Sequence, residues 1–249
     1  MQHHGWMETI LQLRFPQHEL SFRNLGYTAD SLTIRQRVDG FGSPDDWLKR
    51  TAADVIFAFF GLNESFAGHD GLAKFRHELE SFIRHTVSQK YNGKSKPRLV
   101  LFSPIAFENH ATPNLPDGTI ENIRIGEYAQ TMAEVARAER VHFVDLFKTT
   151  LWLYANGGPK LTLNGVHLTN GGDRHVAEMI DSALFGQSGQ SVDLATLIRM
   201  RAAVLDKNTH WFNRYRVVDG FNVYGGRSKL NWHGQSNADV MRREMEIFD

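Results

Sequence analysis

The fold is decided by the stretch Asp54-Val55-Ile56-Phe57-Ala58-Phe59-Phe60-Gly61-Leu62-Asn63-Glu64-Ser65. Its first part, residues 55–60, is apolar and rich in strand-forming types, as is typical of a parallel strand buried on both faces. The run stops at a glycine, and the polar amide of Asn63 follows. An amide at the end of such a strand lies where α/β proteins bind ligands. Taken alone, the same residues fit an ordinary turn equally well.

Strands and helices alternate on either side of this stretch. Further strands are predicted at residues 19–24, 98–103 and 141–146. Apolar residues at helical spacing predict helices within residues 6–13, 72–87, 125–136, 176–184 and 194–205, and Ser43-Pro44 predicts the start of another. This alternation predicts an α/β fold with three α/β/α layers, in which a parallel sheet is covered on both faces.

Composition excludes several classes of function. The chain has 249 residues with 28 basic and 28 acidic side chains, so no basic excess points to a nucleic-acid partner. The absence of cysteine excludes disulfides, thiolate metal sites and a cysteine nucleophile. No apolar run is long enough to span a membrane. The adjacent His3 and His4 are typical of a solvated terminus, and we predict no metal site and no cofactor.

The chain changes character after residue 186. Residues 186–191, Gly-Gln-Ser-Gly-Gln-Ser, are the one linker-like stretch. We therefore predict a main domain at residues 1–186, followed at residues 187–249 by a linker and an aromatic-rich C-terminal extension. Between residues 211 and 227, aromatic side chains alternate with arginines, a pattern that suits stacking on bases or sugars. The same residues can pin the extension onto the main domain, and zero net charge favours this packing interpretation.

Three polar loops are expected at the same edge of the sheet. They are residues 23–30, 61–64 and 163–169, and loops at the carboxyl ends of parallel strands converge. Gly26 offers a backbone N–H, Asn63 a side-chain amide, and His167 an imidazole that can move a proton near neutral pH. This trio suits acyl transfer, because neutral donors stabilise an oxyanion and a histidine can deprotonate a serine. A histidine that merely bonds to backbone near a helix is the alternative for His167.

At these residues the chain resembles the SGNH, or GDSL-type, esterase and lipase superfamily. Asn24-Leu25-Gly26 is similar to the glycine block, residues 61–64 to the Gly-x-Asn-Asp block, and residues 164–169 to the Asp-x-x-His block. The resemblance covers roughly residues 5–185 and implies a flavodoxin-like sandwich. It also implies oxyanion donors at Gly26 and Asn63 and a general base at His167. Substrates in this superfamily include acetylated sugars, lipids and thioesters.

Two departures from the family pattern concern the catalytic groups. The family's first block, a strand ending in Gly-Asp-Ser, carries the nucleophile and should precede the helix at Trp6, where only five residues stand and none is serine. The internal candidates Ser31, Ser43, Ser65 and Ser103 each suit a structural role better. The second departure is Asn164 in place of the family's aspartate, which supplies no charge to the imidazole. Asp145 and Asp173 are the alternative carboxylates.

The missing block has a structural consequence. In the strand order 2-1-3-4-5 the first strand is internal, so its loss leaves residues 19–24 and 55–60 without their shared neighbour. Either the chain is a fragment of a longer protein, as its uncapped helical end at residues 243–249 also suggests, or the sheet is rearranged. The leading prediction is an ester hydrolase for a small-molecule or carbohydrate ester. The alternatives are a catalytically inactive ligand- or carbohydrate-binding module and an interaction domain whose partner contacts residues 211–227.

Overall fold

The computed structural model describes residues 2–37, 40–187, 192–216, 226–232 and 234–246. The helices are α1 (Trp6–Arg14), α2 (Pro44–Arg50), α3 (Leu62–Ser65), α4 (Leu72–Ser88), α5 (Thr119–Glu139), α6 (Leu146–Ala155), α7 (Asn170–Phe185), α8 (Leu194–Arg216) and α9 (Asn237–Glu246). The strands are β1 (Val55–Phe59), β2 (Arg98–Phe102), β3 (His142–Val144), β4 (Asn231–Trp232) and β5 (Gln235–Ser236). A short 3₁₀ turn, His69–Gly71, precedes α4.

The central sheet is parallel and has the order β1-β2-β3. Val55 is in register with Arg98, and Val100 with His142. One face, at Ala58, Leu99 and Leu101, packs against α4 and α5. The other face packs against α1, α6 and α7. The structure thus confirms the predicted three-layer α/β/α fold with a parallel sheet.

Local sequence signals explain where the helices begin. The Ser43 hydroxyl accepts a hydrogen bond from the Asp46 N–H, and the Asp46 carboxylate accepts one from the Ser43 N–H. This reciprocal pair satisfies two otherwise unpaired donors, and proline at the first helical position fits the same helix start. In α7 the Thr169 hydroxyl accepts from the Gly172 N–H, so the helix begins at Asn170, three residues after His167.

The strand predicted at residues 19–24 is wrong. This segment is irregular in the structure, and side chains donate to the carbonyls of Leu20, Phe22 and Asn24. Lys207, Trp211 and Tyr215 stand four residues apart on α8 and donate to the carbonyls of Phe22, Asn24 and Leu25 at 3.0, 2.8 and 2.9 Å. The physical reason is that a strand needs a partner, and helix α8 supplies the donors here instead.

β1 is an edge strand, which corrects the prediction that it is buried on both faces. Its side chains at Val55 and Phe59 are 46% and 41% exposed. The Arg98 N–H donates to the Asp54 carbonyl, so in a parallel ladder residues 54, 56 and 58 bond to β2 while residues 55, 57 and 59 point away from it. Among the described residues no strand lies on that side, which we call the open edge of β1.

Two further boundaries differ from the sequence prediction. The strand predicted at residues 141–146 is only His142–Val144, because Asp145 caps the unpredicted helix α6 through the Lys148 N–H. The helix predicted at residues 194–205 continues to Arg216. Its extra turns carry the aromatic residues that contact the main domain: Trp211 and Tyr215 pack with Phe41 and Trp47.

Part of the C-terminal extension lies outside the described residues, including residues 188–191 of the expected linker, residues 217–225 and residues 247–249. The described remainder contains the antiparallel pair β4–β5 and helix α9. The division at residue 186 therefore stays a prediction. Within the ranges that the structure covers, no helix has the length and apolar character needed to cross a membrane.

Candidate active site

The loop that carries Gly26 and the turn that carries Asn63 are joined directly. The Asn63 side-chain nitrogen donates to the Asp30 carbonyl at 2.7 Å. A carbonyl can only accept, so the amide is oriented with its nitrogen towards Asp30. Because that nitrogen carries two hydrogens, a second N–H of Asn63 remains for a ligand. The structure thus brings together two of the regions predicted from sequence.

Glu64 links the same two regions a second time. Its carboxylate accepts from the N–H of Gly61 and from the N–H of Leu32, both at 2.8 Å. Gly61 has a φ of +104°, and a Cβ there would lie 3.1 Å from the Met132 sulfur. Only glycine fits this left-handed and crowded position without strain. The tight turn that presents Asn63 at the end of β1 therefore depends on Gly61.

Gly26 does not present a free N–H in this structure. Its backbone nitrogen donates to the Asn24 side-chain oxygen at 2.7 Å. A backbone amide has one hydrogen, so Gly26 can serve an oxyanion only if the Asn24 carboxamide turns aside. Asn63 and Gly26 thus differ: the first has a spare donor, whereas the second is engaged within its own loop.

Helix α8 holds the Gly26 loop in place. Arg216 donates to the Gly26 carbonyl at 2.7 Å, and its guanidinium lies 4.4 Å from the centre of the Tyr27 ring. Arg37 lies 3.9 Å from the centre of the same ring and pairs with Asp30 through two hydrogen bonds of 2.8 Å. Burial lowers the pKa of Arg37, but its hydrogen bonds, to Asp30 first, outweigh this and raise the pKa above its usual value. The Arg37 guanidinium therefore stays charged at any accessible pH.

His167 is held by Asn164. The Asn164 side-chain oxygen accepts from the His167 backbone N–H at 3.1 Å and lies 3.0 Å from His167 Nδ1. Since a backbone N–H can only donate, the facing Asn164 atom is oxygen, and Nδ1 must carry the hydrogen. Nε2 then keeps its lone pair, as a general base requires. Asn164 fixes the productive tautomer but, unlike a carboxylate, adds no charge.

The His167 loop and the Asn63 turn rest on one apolar cluster. Leu62 and Val166, the neighbours of Asn63 and His167, both pack against buried side chains that include Phe107. Gly165 has a φ of +99°, and a Cβ there would lie 2.3 Å from the Phe107 ring. Glycine is therefore required where this loop crosses Phe107. The shared cluster sits beyond the carboxyl end of β2, the edge at which the sequence places the site.

Comparison with known proteins shows the family of this chain. A model of the GDSL-like lipase/acylhydrolase family matches residues 2–175. The chain belongs to this family. No curated protein matches the chain.

Solved structures place this family member among SGNH-type folds. The chain is similar to Axe2, an acetylxylan esterase from Geobacillus stearothermophilus, with 15% sequence identity and a TM-score of 0.55, over 75% of this chain and 82% of that one. It is also similar to the acetyl xylan esterase AlAXEase, with 20% identity and a TM-score of 0.50, over 73% and 91% of the two chains. At these identities the similarity establishes the fold.

The serines considered as nucleophiles all have structural partners in this GDSL-like chain. Ser65 and Ser103 are 3% and 1% exposed, and each donates its hydroxyl hydrogen to a backbone carbonyl within three residues. Ser43 caps α2, and Ser31 accepts from a backbone N–H of its own loop. None of these four hydroxyls has a hydrogen bond to His167.

Neither alternative carboxylate replaces the aspartate of the GDSL-like family. Asp145 caps α6 and lies 3.4 Å from Lys148. Asp173 is fully buried beside the start of α1, where the Trp6 backbone is among its partners. Burial raises the pKa of the Asp173 carboxyl. The histidine ring is therefore oriented by Asn164 alone among the residues proposed from sequence.

Sequence reasoning missed several groups that shape this site. Asp30, Arg216 and Glu108 contact the loops of Gly26, Asn63 or His167, yet none belongs to a family block. Their partners are mostly backbone atoms far away in the chain, which no local pattern encodes. The four-residue spacing of Lys207, Trp211 and Tyr215 was the available signal for the face of α8.

Proposed function

We propose that this protein is an ester hydrolase of SGNH type that removes acetyl groups from carbohydrates. The observation that carries the proposal is the contact between the Asn164 oxygen and His167 Nδ1, which in the neutral ring leaves the Nε2 lone pair for proton transfer. Asn63 adds a spare amide N–H at the end of β1. A base and a neutral donor, carried on loops that pack against one apolar cluster, are parts that acyl transfer needs.

The substrate class is supported by the structural relatives. Axe2 and AlAXEase are named as acetylxylan esterases, and both share this fold. Acetyl is also the smallest common acyl group, so its transfer needs no long apolar channel. Carbohydrate O-acetyl esters are therefore the class that we expect this protein to hydrolyse.

The nucleophile of this reaction is a serine hydroxyl that lies outside residues 1–249. The open edge of β1 is the place where a strand carrying it would pair, because the N–H and C=O groups of residues 55, 57 and 59 face that side. An unpaired edge is a template for another strand. Such a strand, parallel to β1, would end beside Asn63, where β1 itself ends.

The reaction then follows from the groups present. His167 Nε2 takes the serine proton as the hydroxyl oxygen attacks the acetyl carbonyl carbon. The free N–H of Asn63 stabilises the oxyanion, with Gly26 as the second donor once Asn24 turns aside. The imidazolium returns the proton to the sugar oxygen, which leaves as an alcohol. Water, deprotonated by the same histidine, attacks the acetyl-enzyme; the serine oxygen leaves, takes the proton back from the imidazolium, and acetate is released.

A catalytically inactive binding module is the second candidate. It is favoured by Asn164, which gives the imidazole no charge, and by the Gly26 N–H, which is already engaged. Such a module would keep the pocket and bind an acetylated carbohydrate without cleaving it. The third candidate, an interaction domain, is not supported at Trp211 and Tyr215. Both side chains are buried against the main domain and are not exposed to a partner.

Extending the expressed chain upstream of Met1 in the natural reading frame separates the candidates. We expect chain 1–249 to give background hydrolysis of p-nitrophenyl acetate, and an extended chain with a strand ending in serine to give turnover. That turnover should disappear in His167→Ala and in an alanine variant of the added serine. An extended chain whose added strand has no serine, and which binds acetylated xylo-oligosaccharides without cleaving them, would establish the binding module instead.

A further inference from the structure

We propose that Glu108 is a positioning residue for His167, acting through a buried network that fixes the loop of residues 160–167. The inference rests on the proposed function in that His167 is taken as the base. Glu108 lies six residues beyond the end of β2, and its side chain is 2% exposed. No family block and no sequence pattern singled it out.

The Glu108 carboxylate is surrounded by donors from the His167 loop. It accepts from the Leu161 N–H at 3.1 Å, from the Thr162 N–H at 2.8 Å and from the Thr162 hydroxyl at 2.7 Å. A buried carboxylate is tolerated only when its oxygens are hydrogen-bonded, and such charge-assisted bonds are stronger than neutral ones. The loop therefore supplies the solvation of Glu108, and Glu108 in turn fixes the loop.

Thr162 passes this constraint towards His167. Because its hydroxyl hydrogen is directed at Glu108, the hydroxyl oxygen must accept from its other neighbours. These are the Gly165 N–H at 3.0 Å and His110 Nε2 at 2.8 Å. The Glu108 backbone N–H also donates to the Gly165 carbonyl at 2.9 Å. Gly165 is thus held on both its amide and its carbonyl side.

The hydrogen-bond network that starts at Glu108 ends at Asn164 and His167, the two residues whose contact sets the histidine tautomer. Gly165 stands between Asn164 and Val166, so fixing it fixes the turn that brings the Asn164 oxygen to His167. The His167 carbonyl accepts from the Leu163 N–H at 2.8 Å, which closes the turn. The side chain of Glu108 does not touch the reacting atoms. It acts by holding the loop in which Nδ1 of His167 meets its acceptor.

A carboxylate suits this position better than its neutral isostere. Its two oxygens can only accept, whereas glutamine would place an NH₂ group where a backbone N–H already points. The nearest basic side chains are His110 at 3.5 Å and Lys160 at 3.9 Å, and the Lys160 side chain is 61% exposed. The loop donors, rather than an ion pair with lysine, are therefore the main partners of the charge.

The test is the tautomer of His167 in chain 1–249, read from ¹H–¹⁵N spectra of the histidine rings at alkaline pH. A His167→Gln variant assigns the signals. We expect the Nδ1–H form in the unaltered chain, a mixture of both neutral forms in Glu108→Gln and Thr162→Val, and retention of the Nδ1–H form in Thr162→Ser, which keeps the hydroxyl. Glu178→Gln, at an exposed glutamate of α7, is the matched control and should change nothing.

Folded Glu108→Gln and Thr162→Val variants with an unaltered His167 spectrum would overturn the proposal. If Glu108→Gln does not fold, the comparison of Thr162→Val with Thr162→Ser tests the proposal alone. Equal His167 spectra for these two variants would contradict the role of Glu108. This readout needs no hydrolysis, so failure of the esterase proposal and failure of the Glu108 proposal are distinguishable. In an active extended chain, Thr162→Val should lower kcat about 100-fold with little change in KM, because the base is misplaced while the substrate contacts remain.

Discussion

The Asn164 side-chain oxygen lies 3.0 Å from Nδ1 of His167 and 3.1 Å from the backbone nitrogen of the same residue. One oxygen atom therefore orients both the ring and the main chain of the proposed base. Because the backbone contact fixes which amide atom faces the ring, asparagine selects the same neutral tautomer that an aspartate would select. It does not stabilise the imidazolium that forms when the histidine takes a proton.

Asn164→Asp should therefore increase the rate of ester hydrolysis by the upstream-extended chain. A carboxylate keeps both hydrogen bonds and adds a charge opposite the imidazolium, which should raise kcat by about 10-fold or more. Asn164→Ala should lower it, because the ring loses its acceptor. Steady-state hydrolysis of p-nitrophenyl acetate measures both. An aspartate variant that is no faster than the unaltered protein would mean that charge at this position is irrelevant.

Tyr215 should stabilise the main domain through its hydroxyl. The hydroxyl donates to the Leu25 carbonyl at 2.9 Å, and Tyr215→Phe leaves that carbonyl without this donor, at a cost of about 1 kcal/mol in the free energy of unfolding. Tyr154→Phe is the matched control, because the buried Tyr154 hydroxyl has no hydrogen-bond partner among the described residues. Urea unfolding should give no loss, or a small gain, for Tyr154→Phe. Equal losses for both variants would contradict the role of α8 in holding residues 20–26.

The open edge of β1 predicts opposite effects for proline at adjacent positions. The Val55 N–H faces the open edge, so Val55→Pro should leave the free energy of unfolding of chain 1–249 nearly unchanged. The Ile56 N–H bonds to β2, so Ile56→Pro should cost about 3 kcal/mol or more. Chemical denaturation of the two variants checks this. Comparable losses would indicate that the edge is already occupied in chain 1–249.

The sequence was sufficient for the elements whose signals are local. β1, β2 and the long helices α4 and α5 follow from apolar periodicity, and α2 follows from Ser43 and Pro44. The same local signals locate the loops of Asn63 and His167, because the first follows β1 and the second precedes α7. These features depend on residues within a few positions of one another.

The failures have a non-local origin. Residues 19–24 have the composition of a strand, but their carbonyl partners are side chains of α8 that lie more than 180 residues away. Glu108 was missed for the same reason, since its donors lie 53 and 54 residues further along the chain. The exposure of β1 depends on whether another strand pairs with its open edge, and the composition of residues 55–60 cannot predict this.

We propose that Asn63 and His167 belong to one ester-hydrolysing site that is completed by a serine on a strand at the open edge of β1. The most direct test of this claim is kcat/KM for p-nitrophenyl acetate in three proteins: chain 1–249, the upstream-extended chain, and the extended chain with Asn63→Ala. We predict background hydrolysis in the first and turnover in the second. In the third we predict a loss of about 100- to 1000-fold, as expected for removal of one oxyanion donor. Robust His167-dependent hydrolysis by chain 1–249 alone, or full activity in Asn63→Ala, would contradict the claim.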